Sequence, residues 1–130
     1  MKIKIVRADV MSMKVDAMVS PTSQGDLETS GGNLLCRFVI HVPQPQRGDD
    51  EQWKLRQATL AALEKAEELA VATVALPPFW ESDHEQCARV MMQAVRDFSE
   101  RARSLQRVVL LPVGEQAHES FERAHTDAES

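Results

Sequence analysis

The sequence has little of what marks a specialised class. Its 130 residues include no tyrosine, two tryptophans, two cysteines and five glycines. No apolar run approaches the ~20 residues that a membrane-spanning helix requires, so such a helix is excluded. There is no Cys-x-x-Cys pair and the four histidines are scattered, so the ligand spacing of a structural zinc site is missing. No metal and no cofactor are expected. Cys36 and Cys87 fall in an apolar run and on an apolar helix face, which reads as buried free thiols in a reducing, cytoplasmic compartment. Clustered Lys and Arg are also missing. The net charge is −5, and without basic clusters to displace counterions no nucleic-acid binding is expected. The opening MKIKIVRADV alternates and soon meets an Asp, so it reads as a strand rather than a signal peptide.

What is present is the composition of a globular domain, 43% apolar and 27% charged. We expect one domain over 1–125 and a polar, frayed tail over 126–130. Strands are expected at 2–7, 15–20 (stopped by Pro21) and 37–42 (halted by Pro43 and Pro45). Asp49 and Gln52 have capping-box spacing at the start of a helix reaching about 70, with Trp53, Leu60 and Leu63 along its apolar side. TVALP (73–77) is a short buried strand. Ser82 and Glu85 repeat the capping-box spacing before a helix to about 104, whose seam is Cys87, Met91, Ala94, Phe98 and Leu105. RVVLLPV (107–113) is the uninterrupted apolar run of a strand covered on both faces, and a last short helix spans 115–125.

The order β, β, β, α, β, α, β, α implies a largely parallel sheet with helices on its faces. Ligands of such sheets bind beyond the carboxyl ends of the strands, which singles out the loops 8–13, 20–36 and 77–84.

Three segments together resemble the macrodomain family, the modules that bind ADP-ribose. RADVMSMKVDAMVSPTS (7–23) is similar to the family's opening, a Gly-Asp-Ile/Val followed by a Val-Asp-Ala-Ile-Val strand and an Asn-Ala-Ala-Asn loop. DLETSGG (26–32) resembles its glycine-rich loop. The run from FVIHVPQPQRGDDEQ to TVALP (38–77) follows its Val-Ile-His-Val strand, Pro, acidic helix and Val-Ala-Leu-Pro strand. The resemblance implies a three-layer α/β/α fold, a mixed sheet of about five strands with one helical layer reduced. In the family the Gly-Gly loop introduces a helix, then a further helix and strand; either this chain lacks them before its Val-Ile-His strand, or GDLETSGGNL matches the later strand-turn segment and the loop itself is deleted.

The resemblance also implies the site. Asp9 would accept from an adenine amino group and Val10 would add a backbone contact, although Asp9 also suits a turn cap. Ser20 and Ser23 stand where the family has its two loop asparagines. Ser23, Gly31 and Gly32 would line the distal ribose. Serine lacks the amide's donor pair, so the family's hydrolytic route is not expected. The segment PPFWESDHEQ (77–86) replaces a glycine-rich turn whose N–H groups cradle the diphosphate, and it has no glycine. Phe79 and Trp80 suit either stacking on a ligand or covering the core. Glu81, Asp83 and His84 read as helix-dipole complementation rather than a metal or acid–base cluster. His41 reads as a packed, hydrogen-bonded side chain.

The functional expectation is weak, non-hydrolytic binding of ADP-ribose or a related nucleotide. The alternative is an interaction module that dimerises or docks a partner protein through the sheet face left uncovered. An ADP-ribosyl hydrolase is the third reading, for which no catalytic group is identified.

Overall fold

A computed structural model describes residues 1–7, 15–22, 37–80 and 82–129, without the side chains of Thr22 and 127–129. Eight elements occur in the expected order. They are β1 (Lys2–Ile5), β2 (Ala17–Thr22), β3 (Phe38–Pro43), α1 (Glu51–Glu68), β4 (Thr73–Leu76), α2 (His84–Ser99), β5 (Arg107–Leu110) and α3 (Glu115–Glu129). The five strands form one sheet in the order β1-β5-β4-β2-β3. Each described pairing is parallel, where a mixed sheet was expected. No helix among the described residues is long and apolar enough to cross a membrane.

The alternation of side chains along a strand splits the sheet into two unequal faces. Val19, Ile40, Val74, Leu76, Val108 and Leu110 point into one large core shared with all three helices. Leu55 and Leu63 of α1 are fully buried there, each gaining about 2 kcal/mol on leaving water. The other face carries a small cluster of Val15, Ala75, Val109 and Leu111, to which no described helix contributes. The helical layer is therefore one-sided among the described residues, matching the expected reduction.

Four departures from the sequence reading stand out. Trp53 is 62% exposed because α1 buries the stripe Leu55, Thr59, Ala62, Leu63 and Ala66. Two residues back from Leu55 is nearly the opposite side of a helix. Pro21 does not stop β2. The strand pairs with β4 only through Ala17 and Met18, so Pro21 lies beyond that ladder, where a missing N–H is tolerated. Neither capping box forms. The N-caps are Asp50 (φ 56°) and Asp83 (φ 53°), both left-handed and without a side-chain cap bond. Finally, α3 continues to Glu129, past the expected end at 125.

Two carboxylates brace the chain at the amino ends of the strands. Asp16, in the Val-Asp-Ala stretch, accepts from the N–H groups of Ala72 (2.9 Å) and Thr73 (3.2 Å). Its own carbonyl accepts from Arg37 and Phe38, so one residue ties together the starts of β2, β3 and β4. Glu67, near the end of α1, accepts from the N–H groups of Arg103, Ser104 (2.9 Å) and Leu105 (3.0 Å) in the turn before β5. Sequence patterning picks out neither role, because both depend on partners more than 30 residues away.

Candidate functional site

The chain leaves β2 toward β3 on one side and leaves β4, through α2, toward β5 on the other. Neighbouring strands whose connections diverge in this way open a crevice at their carboxyl ends. The break in pairing after Met18 widens it. A cleft of about 730 Å³ lies there. Its walls are Pro21 from β2, Gln44 from the β3–α1 loop, and Pro77 to Trp80 after β4. His84 at the start of α2, with Val113 before α3 and Ala117 in its first turn, completes it. The expected loop 77–84 does reach the cleft.

The wall after β4 is held from the β3–α1 side. The Gln44 side-chain amide donates to the Phe79 carbonyl, and the Trp80 indole Nε1 donates to the Pro45 carbonyl at 3.3 Å. The Arg47 guanidinium lies over the Trp80 ring at 3.9 Å. It also pairs with Glu51 and with Asp83 (3.2 Å), and donates to the Ser82 hydroxyl. Ser82 thus serves Arg47 rather than capping α2. The Gly48 N–H, then Arg47 and Gln86, hold the Glu51 carboxyl down at about 2, so it stays ionised across ordinary pH. These ion pairs are exposed and act mainly by fixing geometry.

Beneath the wall sits Cys87, free and buried. Burial pushes its thiol up to about 11, and the thiol points to the Met91 sulfur at 3.5 Å. It is a packing residue, not a nucleophile.

The structure distributes the sequence-predicted residues unevenly. Asp9, Val10, Ser23, Gly31 and Gly32, with Glu81 and Cys36, lie outside the described residues. Ser20 is half-buried on β2, paired in register with His41 of β3. His41 is exposed on the edge strand, not packed as expected, because it points away from the helical core. Phe79 is only 2% exposed and belongs to the core cluster, as does Trp80 at 4%. Both rings therefore serve the core first and reach the cleft with what remains. Among the described residues no group of three His, Cys, Asp or Glu could hold a metal ion. Gln44, Arg47 and His84 are the residues that sequence reading did not assign to the site. Pro43 and Pro45, which promise a sharp exit from β3, were the available signal for Gln44 and Arg47.

The Macro domain family model matches residues 20–91 of this chain. An uncharacterized protein of Pyrobaculum aerophilum is 34% identical over 106 residues, covering 78% of this chain and 58% of that protein. The chain spans about half the length of the curated relatives it matches. Among solved structures, an Oceanobacillus iheyensis macrodomain with ADP superposes with a TM-score of 0.79 at 14% identity, covering 96% of this chain and 90% of that one. A Trypanosoma brucei macrodomain in complex with ADP gives a TM-score of 0.76 at 16% identity, covering 95% and 68%.

Proposed function

The chain belongs to the macrodomain family, and we propose that its cleft binds ADP-ribose or a related nucleotide, weakly and without hydrolysing it. One observation carries this reading. The cleft of about 730 Å³ lies at the divergence of β2 and β4, in a fold shared with macrodomains solved with ADP. Its size is that of an ordinary small-molecule site. In this reading Asp9 and Val10 hold the adenine, and Ser20, Ser23, Gly31 and Gly32 line the distal ribose. Among the described residues at the cleft, the one thiol, Cys87, is buried and raised to about 11, which supports the non-hydrolytic reading. A reducing cytoplasm suits that free thiol.

The docking-module alternative needs an exposed apolar sheet face. On the face away from the helices, Val109 is fully buried and Leu111 is 4% exposed, which weighs against it. Calorimetric titration of the purified protein with ADP-ribose tests the proposal. Saturable binding in the micromolar-to-millimolar range is expected, with no release of ribose or nucleotide on prolonged incubation. No heat and no thermal shift at millimolar ligand would sink it.

A further inference from the structure

We infer that a second cleft, at the amino ends of β1 and β5, binds a small phosphate-class anion, free or carried on an organic molecule. It lies at the opposite end of the sheet from the nucleotide cleft and does not depend on that reading. The cleft measures about 520 Å³, and its walls include Met1, Lys2, Thr73, Arg103, Gln106 and Arg107.

Three of these side chains are cations brought from separate stretches of chain. Lys2 opens β1, Arg103 stands between α2 and β5, and Arg107 opens β5. The sheet register sets Lys2 directly beside Arg107, and Arg107 beside Thr73. The next residues of these strands, Ile3, Val108 and Val74, pack into the helical core, so Lys2, Arg107 and Thr73 share the opposite face. Paired strands lie ~4.8 Å apart, which places two like charges side by side, an arrangement that is destabilising by itself. Among the described residues no carboxylate lines the cleft, and none forms an ion pair with these three side chains. Glu67 feels the Arg103 charge, but its carboxylate is engaged by the N–H groups of residues 103–105. One carboxylate against three cations leaves the cleft positive, in a chain whose net charge is −5.

A bound anion relieves that repulsion. Guanidinium forks match phosphate oxygens bidentately, the Lys2 ammonium adds a point charge, and Thr73 carries a hydroxyl donor. Arg107 is half-buried while Lys2 and Arg103 are exposed, so the site is open and suits an exchangeable anion. Sequence reading misses this cluster because Lys2 and Arg107 meet only through strand pairing.

Titration of the full chain with inorganic pyrophosphate, at fixed ionic strength in chloride buffer and followed by amide chemical shifts, tests this. Saturable shifts centred on Lys2, Gln106 and Arg107 are expected at millimolar concentration. Arg107→Gln and the more exposed Arg103→Gln should each weaken binding about tenfold, with thermal unfolding confirming that each variant is folded. ADP forms the second arm. Shifts at the same residues with both compounds assign the diphosphate group on any carrier, and shifts with pyrophosphate alone assign a free anion. No saturable shift with either, shifts confined to other surfaces, or undiminished binding by the folded variants overturns the inference.

Discussion

Glu67→Ala should be among the most damaging substitutions of a charged side chain in this domain. The carboxylate accepts three backbone N–H groups from residues 103–105 and so fixes the turn that delivers the chain into β5. Partial desolvation pushes the Glu67 carboxyl up, but the three N–H groups outweigh it and hold the group below its usual 4.5. Removing the acceptor leaves those donors to water at a half-buried turn. A hydrogen bond to a charged group contributes roughly 1.5–3 kcal/mol, and solvent around Glu67 reduces the sum of three well below additivity. The expected loss is about 2–3 kcal/mol. For a domain of this size that lowers Tm by roughly 8–12 °C. Glu67→Gln keeps one acceptor oxygen and should lose about half as much. Because folding depresses this carboxyl, its contribution is complete above 4.5 and fades as pH falls through the lower folded value. The gap between wild type and Glu67→Gln should therefore narrow on acidification. Urea unfolding at neutral pH and below pH 4 measures both. The control is Glu68→Ala, which removes only an exposed pair with Lys65 at 3.8 Å and should cost close to nothing. Equal losses for Glu67→Ala and Glu68→Ala, or a gap unchanged by acid, would refute the reasoning.

Asp16→Ala should cost about 2 kcal/mol by stranding the Ala72 and Thr73 N–H groups, with Asp16→Asn recovering part of it. Chemical denaturation reads this directly, and a neutral outcome would mean that water replaces the carboxylate at no cost. In a Cys36→Ser variant, Cys87 should resist thiol reagents at pH 7, where a thiol raised to about 11 is ionised about once in ten thousand molecules. Labelling of the folded protein at the rate seen in urea would show that the wall above Cys87 opens freely.

The elements were legible because each carries its own periodicity or punctuation. VVLL (108–111) has no polar residue to face water, and the long interval between Pro45 and TVALP has room for a helix. The helix starts were misread for a physical reason. Asp49, Gln52, Ser82 and Glu85 have the right local spacing, but Arg47 reaches across from the β3–α1 loop to engage Ser82 and Asp83. Glu51 meanwhile takes the Gly48 N–H, so tertiary partners displaced the local caps. The site was legible in outline, since the loop after β4 does form a cleft wall. Its detail was not, because Gln44 with Phe79, Pro45 with Trp80 and Arg47 with Asp83 are joined across 35 or 36 residues of chain. Phe79 shows the same limit. An aromatic beside a cleft and an aromatic in a core look alike in sequence, and only burial separates them.

The sheet order has a consequence for how the molecule assembles. Among the described residues the first strand pairs only with the last, Lys2 to Ile5 lying beside Arg107 to Leu110. Closing that pair spans about a hundred residues, and contacts this distant slow folding, since the chain entropy is lost before the pairing can compensate it. On a ribosome β1 must wait, partnerless, until β5 has emerged. Lys2 and Lys4, exposed on alternate positions of that strand, keep the waiting edge charged and unattractive to other chains.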